Sequence, residues 1–550
     1  MKRSMLLSNG VFFMIGAILC GGSAHAVSLY NGYNYGNNLQ VNLTTQLSYT
    51  GMWRVNSPSA VLKAAEDGDA NFQHGMVANL LSVVPVLDIR DGDFGAHFSG
   101  QFYLNTSYLG TNQNNLTPWS SAIYTAKQTN FASGTRNVDG QNAQLLDAFV
   151  YAGHTFADGQ SVQFKLGRTT LMWGQSLFFP ADGIAGGQAP INIISAQNLI
   201  NPQAQQVFMP VAQAIVTYEP TSSTMIQAYY QFEWRHDYFQ GEGAYFSSPL
   251  NVIGPGGGWL GLGSSCSRFG LSGVNCGLTR TKDLNPEHQN GQFGLSLQQQ
   301  VGKWDLGAYV ERFDAKAPEL GIFGPDALGP VGNPAAGAVS IGNYQFVYPR
   351  DIWLQGISFS TNVGAANVAG EFSVREHQPL VLNNQNAFFI QPGQNANSNP
   401  GYAVGDTWDA QLSTIYVSPP LPFDPGGVAF AGEIILNHLI DVTKNRALLR
   451  TDGQATAGAM DVSITPTYND VLPNLQITFP LSLSYDYLGR SEVDASIYHG
   501  NGSYDAGITA TYKTNWIASV AYQGYFGKPN TVYNPLVDRG FISFNLQHTF

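Results

Sequence analysis

Ionisable and amide side chains recur at alternate positions in several stretches: Gln231, Glu233 and Arg235, then Asp305 and Glu311, then Glu371 and Arg375, then Glu433, Asp505 and Lys513. On one face of a strand, residues of these types line water rather than lipid, where they select ions, orient a solute or pair with one another. They are few. No acidic or basic cluster forms among them, whereas an ion-selective pore concentrates charge at its constriction. Arg168 stands apart, because it continues the apolar row Val162, Phe164, Leu166, where an arginine facing lipid costs about 2 to 4 kcal/mol at mid-depth. A bulge at Gly167 is expected to turn it inward onto Asp147 or Glu233, either as a constriction charge or as an ion pair bracing the wall.

Catalytic and metal chemistry find less support. The chain has no G-x-S-x-G and no H-E-x-x-H, and its histidines, from His74 to His548, are scattered. A hydrolytic triad is spatial rather than sequential, so His97 and His154, each beside Ser and Asp on the polar face, keep a barrel esterase or lipase as the least favoured alternative. Asp67, Asp69 and Asn71 open like a calcium loop, yet Phe72 stands where that loop needs Gly and no Glu follows at the twelfth position. That stretch is expected to be a solvated loop, with no metal and no cofactor. Cys266 and Cys276 lie in a Gly/Ser-rich stretch, and an oxidising compartment favours a disulfide between them. Two free thiols or half of a metal site are the alternatives, although no His or Cys close by completes a zinc set.

The elements that carry these residues are strands. From Leu475 to Tyr487, one face reads Leu475, Ile477, Phe479, Leu481, Leu483, Tyr485 and Tyr487, and the other is Gln, Thr, Pro, Ser and Asp. Ile226 to Arg235, with Trp234 closing the apolar row, and Tyr504 to Lys513 alternate in the same way. The polar rows hold mostly Gln, Ser, Thr and Gly, and the apolar rows end in aromatic residues, as membrane girdles do. Only 11% of the 550 residues are charged, less than half the roughly 25% of a soluble domain. Beyond residue 20, no apolar run is long enough to span a bilayer as a helix. The acidic balance, with a net charge of −12, argues against nucleic acid as a partner.

Residues 1–26 read as an export signal, with Lys2 and Arg3 before an apolar stretch and Ala24-His25-Ala26 as the cleavage site, so that Val27 begins a single domain over 27–550. Tight turns at Asp91-Gly92-Asp93, Asp158-Gly159, Glu219-Pro220, Gly302-Lys303, Val363-Gly364, Pro473-Asn474 and Thr514 alternate with much longer connections. The pattern predicts an all-β, antiparallel outer-membrane barrel of about 18 strands (14 to 18), with short periplasmic turns and long extracellular loops. Pro85, Pro466 and Pro480 fall inside strands and require local bulges. The chain closes on an alternating strand ending in Phe550, the pattern that barrel insertion machinery reads. The connection from Leu177 to Pro210 is too long for a hairpin and too apolar for a solvated loop. It is expected either to fold into the lumen or to pack outside on its neighbours.

Gly167-Arg168 with Trp173-Gly174-Gln175-Ser176, Tyr229-Tyr230-Gln231-Phe232-Glu233-Trp234, Tyr348-Pro349-Arg350-Asp351-Ile352 and Asn534-Pro535-Leu536-Val537-Asp538-Arg539 resemble the domain-of-unknown-function family 1302 of Gram-negative bacteria. The resemblance runs over nearly the whole mature chain. It implies an outer-membrane barrel and a link with hydrophobic or aromatic compounds. Gln175 departs from the acidic residue expected after Trp-Gly, which weakens any role for a carboxylate there. The expected activity is passive passage of small, hydrophobic or aromatic molecules, with a general polar-solute porin as the alternative. Expected partners are outer-membrane lipid and lipopolysaccharide, the barrel assembly machinery, a small-molecule ligand and a periplasmic carrier protein.

Overall fold

The structure is a computed structural model. It describes residues 27–31, 38–63, 67–114, 129–247, 253–261, 266–267, 270, 276–286, 288, 290–323, 329–330, 339–383, 401–421 and 426–550. The export signal expected over residues 1–26 lies outside the described residues.

Eighteen strands form one closed antiparallel barrel. The first six are β1 (Leu39–Arg54), β2 (Gly75–Asp91), β3 (Phe94–Asn105), β4 (Gln141–Thr155), β5 (Ser161–Thr169) and β6 (Val211–Thr221). The next six are β7 (Thr224–Gln231), β8 (Gln292–Val301), β9 (Trp304–Phe313), β10 (Ile352–Val363), β11 (Ala366–Pro379) and β12 (Val404–Val417). The last six are β13 (Val428–Lys444), β14 (Thr456–Leu472), β15 (Leu475–Thr478 and Leu481–Leu488), β16 (Gly502–Tyr512), β17 (Trp516–Phe526) and β18 (Phe541–Thr549). Each pairs with the next, and β18 returns to β1 from Thr549 opposite Gln46 to Phe541 opposite Arg54. Closure leaves no bare edge in the bilayer, where an unpaired backbone group has no water to bond. A short N-terminal strand, Val27–Asn31, pairs with β1 from Leu43 to Gln40, in the stretch of β1 that β18 does not reach.

Alternation sorts the side chains as expected. Phe98, Phe102, Leu295, Ile357, Ile508 and Val520 stand exposed on the outer face, while Gln101, Ser296, Ser358, Asp505 and Ser519 between them are buried toward the lumen. A polar inside and an apolar outside suit lipid around the wall. The prolines sit at irregularities. Pro85 lies beside a register shift between Phe98 and Gly100 of β3, and Pro480 splits β15 in two. The carbonyl of Pro466 accepts the N–H of Phe479 at that break. One turn falls later than the sequence suggested: β6 runs through Pro220, and the hairpin closes at 222–223, because a register shift between Tyr218 and Thr221 absorbs the proline. On the long-loop side, Trp259–Gly261, Cys276–Arg280, Glu319–Phe323 and Val339–Val347 form a second small sheet. Cys266 and Cys276 are joined beside it by a disulfide, with Cα atoms 5.7 Å apart.

Candidate functional site: the inward segment and the chamber beneath it

Between β5 and β6 the chain turns into the barrel instead of out of it. Every residue from Ala181 to Ile200 is buried. Phe178, Phe179, Ile191, Ile193, Val207 and Phe208 pack on Ala431 and Ile435 of β13, Ala457 and Ala459 of β14, and Ile497. Trp173 and Ile184 pack on Ile215, Tyr229, Tyr309, Phe313, Ile352 and Leu354 of β6, β7, β9 and β10. Leu199 reaches Leu80 of β2 and Tyr103 of β3, and the Gln203 amide donates to the Gln46 side chain of β1 at 2.6 Å. Burying each aliphatic or aromatic side chain is worth roughly 1.5 to 3 kcal/mol, so a segment this apolar gains more inside than in water. A short helix, Ile193–Asn198, forms within it because the Asn192 side chain caps the Ser195 N–H.

A buried backbone without a ladder must find other partners, and luminal side chains supply them. The Glu433 carboxylate accepts the N–H groups of Leu177 at 3.1 Å, Phe178 at 2.5 Å and Phe179 at 3.1 Å, together with the Ser176 hydroxyl at 3.3 Å. Glu371 accepts the N–H of Gln175 at 2.6 Å and of Ile184 at 2.8 Å. Gly174 lies beneath that carboxylate with φ of +94°, where a Cβ would meet Glu371 Oε2, so this position requires glycine. Arg375 does the complementary work, donating to the carbonyls of Asp182 at 2.6 Å and Gly183 at 2.7 Å. Glu311 accepts the Gln188 amide at 2.8 Å and the Tyr229 hydroxyl at 3.0 Å, and Gln231 donates to the Gln188 carbonyl at 2.7 Å. The Lys316 ammonium donates to the Gly187 carbonyl at 2.6 Å. Charge-assisted bonds of this kind are the strong ones. Asp182 itself stands near Asp494 and Asp409. Burial first, then Asp494 and Asp409, push its carboxyl well above the ordinary value, while Arg375 acts in the opposite sense.

The residues expected to line an open pore are therefore distributed unevenly. Glu311, Glu371, Arg375, Glu433 and Gln231 meet the inward segment. Asp505 accepts the Ser482 hydroxyl on the far wall. Arg168 pairs with Glu233 at 2.7 Å, but the expected bulge at Gly167 is not found: φ there is +135°, yet pairing runs unbroken through Phe149 and Gln213 on both sides. The pair stands where β5 and β7 end, so Arg168 escapes mid-depth lipid by position rather than by a bulge. Two other placements differ because their strands end sooner than alternation suggests. Trp234 is buried against Tyr348 at 4.8 Å beyond the end of β7, and Arg235 donates to the Pro210 carbonyl at 3.3 Å. Lys513 lies in the turn after β16 with φ of +51°, not on the luminal row.

Asp305 faces a chamber beneath the segment, toward the short turns. It is a recess of about 510 Å³, open on one side and lined by Gln298 and Gln300 of β8, Asp305 and Tyr309 of β9, Ser358 of β10 and Glu219 of β6, with Gln175 above. Along the neighbouring arc, His97 meets Asp88 at 2.7 Å while Ser99 donates to Asp147 at 3.2 Å. The serine is thus on a carboxylate rather than on the imidazole, and this pair of contacts does not make a hydrolytic relay. The stretch resembling a calcium loop is not the solvated loop expected: Asp67–Asn71 is a short buried helix, because Asp69 is held by Arg54 at 2.8 Å and Arg539 at 3.4 Å, all three side chains buried.

The sequence profile described as "Protein of unknown function (DUF1302)" matches residues 9–550. This chain belongs to that family. No curated protein matches the sequence. Among solved structures, it is similar to OccAB4 of Acinetobacter baumannii, with a TM-score of 0.44 at 7% identity over 93% of this chain and 98% of that one. A BenF-like porin from Pseudomonas fluorescens Pf-5 gives 0.41 at 9% identity, over 93% and 98%. An anion-selective porin from Comamonas acidovorans gives 0.36 at 10% identity, over 93% and 100%. In this DUF1302 chain, the Trp-Gly-Gln-Ser stretch is where the inward segment is tied to the wall. The Trp173 indole donates to Gln227 at 2.6 Å, and its backbone N–H donates to Gln188 at 2.7 Å.

Sequence reasoning missed Gln188, Lys316, Asp182 and Asp494. Gln188 and Asp182 lie in a segment without period, where no alternation assigns a face. Tyr229 and Gln411 were accessible to it, since both fall on luminal rows, and Gln411 donates to the Phe179 carbonyl at 3.1 Å.

Proposed function

We propose that this protein is an outer-membrane channel that admits small hydrophobic or aromatic molecules by passive transport, and that the inward segment is its gate. The observation that carries this reading is a pair of apolar stripes on a luminal wall whose rows are mostly polar. Ala431, Ile435, Ala457 and Ala459 form one, and Tyr309, Phe313, Ile352 and Leu354 the other; both are covered by the segment. When the segment moves aside, water is a poor replacement for it. A solute that is itself apolar or aromatic offsets the exposure, which favours such solutes over sugars. Removal of residues 1–26 at Ala26-Val27, residence among outer-membrane lipid and lipopolysaccharide, insertion by the barrel assembly machinery and delivery to or from a periplasmic carrier belong to the same proposal.

The test is expression in a Gram-negative host lacking its own major porins. Uptake of naphthalene should rise several-fold above the empty host, while glucose-driven swelling of proteoliposomes stays at background. The reverse pattern selects a polar-solute porin, the second reading, which the amide- and hydroxyl-lined chamber favours.

A further inference from the structure

We propose that the chamber beneath the inward segment is a binding site for aromatic solutes that carry a positive charge, and that it sets the charge preference of the channel. The proposal rests on the reading of the chain as a path for apolar or aromatic molecules and narrows that class.

The chamber's volume of about 510 Å³ is in the range of sites that enclose a small organic molecule. Its ionisable lining consists of the Glu219 and Asp305 carboxylates, and no lysine, arginine or histidine is among its lining residues. Asp305 is exposed to the chamber on the luminal row of β9. An anion entering here meets like charge, without a donor stronger than an amide or hydroxyl. That is discrimination by repulsion. Along the adjoining arc, His97 stands between Asp88 at 2.7 Å and Asp147 at 3.9 Å, and the Lys165 ammonium lies 5.5 Å from the centre of the Phe149 ring, so the carboxylates there are already matched and the unmatched pair is that of the chamber.

The chamber also has an aromatic wall. Tyr309 lines it and, on its other side, meets Trp173 at 5.9 Å, which in turn meets Tyr229 at 5.1 Å. Carboxylates, amides and a tyrosine ring around one volume suit a solute with an aromatic body and a cationic or hydroxylated head. Gln175 occupies the decisive place. Trp173 and Ser176 hold the segment to Gln227 and Glu433, Gln175 contributes its backbone N–H to Glu371, and Gly174 leaves room for that carboxylate. Gln175 also lines the chamber, so a carboxylate placed there would add to those of Glu219 and Asp305.

Three probes share a 4-hydroxyphenyl body and differ in charge: tyramine is a cation, tyrosol is neutral, and 4-hydroxyphenylacetate is an anion. Isothermal titration of the full-length protein, purified in detergent, should give saturable binding in that order, with tyramine about tenfold tighter than the acid. Asp305→Asn should bring the tyramine-to-tyrosol ratio toward one. Gln175→Glu should raise it, a gain that a misfolded variant cannot produce. Equal binding of all three probes, or unchanged ratios in both variants, overturns the charge preference and leaves the aromatic reading standing. Binding of none overturns the site; naphthalene uptake by the expressing host then decides the aromatic reading on its own.

Discussion

The carboxyl groups of Asp182, on the inward segment, and Asp494, on the loop between β15 and β16, stand near enough to feel each other's charge, with Asp409 of β12 and Arg375 of β11 beside them. All three carboxyls are nearly inaccessible to solvent, so like charges among them repel with little screening.

The arrangement makes the seating of the segment dependent on pH. Because burial, Asp494 and Asp409 raise the Asp182 carboxyl above its ordinary 3.8, its contribution is fully present below that value. It is lost as pH rises through the raised one. Single-channel recordings across a pH series should show opening become several-fold more frequent toward alkaline pH, the direction in which the raised carboxyl gives up its proton. Asp182→Asn, which keeps a donor without a charge, should flatten the profile.

Glu433→Ala removes the acceptor for three backbone N–H groups and one hydroxyl. Buried donors left without a partner cost about 1 to 3 kcal/mol each. The expected outcome is a barrel that still assembles, seen as unchanged heat-modifiable migration, but whose segment is cut by added protease and whose conductance is raised. A variant with the parent's conductance and resistance would show that Glu433 holds nothing in place.

Replacing residues 177–210 by a short linker between β5 and β6 should open the lumen outright. Conductance to small ions should rise severalfold while selectivity for apolar solutes falls, since the covering surface is gone. Parental conductance in a correctly inserted deletion variant would place the barrier elsewhere.

Phe550 is bonded to the first strand through its backbone, its N–H donating to the Thr45 carbonyl at 3.0 Å, and its ring meets His548 at 4.2 Å. Phe550→Asp should leave protein stranded in the periplasm, measured by fractionation. Normal surface levels would remove the terminal aromatic from the insertion signal.

The barrel was legible because the period of two survives in nearly every strand. Rows such as Tyr504 to Tyr512 declare one wet face and one lipid face without help from distant residues. The strand ends were harder to read. Trp234 and Lys513 continue the alternation on paper, but the chain has already left the wall, and Arg168 reads as buried in lipid only if β5 runs on beyond Thr169. The segment's inward course could be suspected from its isoleucines and phenylalanines. What holds it could not, because Glu311, Glu371 and Glu433 look like pore charges until their partners on the segment, a side-chain amide for the first and backbone N–H groups for the other two, arrive from more than a hundred residues away. Asp182 and Asp494 are the extreme case, two ordinary loop acids whose chemistry exists only once three separate elements converge.

The segment touches the wall at Gln46 of β1, Glu311 of β9 and Glu433 of β13, points spread around the ring so that β1 and β9 are nearly opposite. A closed sheet resists stretching along its hydrogen bonds but flattens easily, and three internal struts of fixed length hold it round. On the proposed reading, unseating the segment therefore removes these cross-struts at the same time as it clears the lumen.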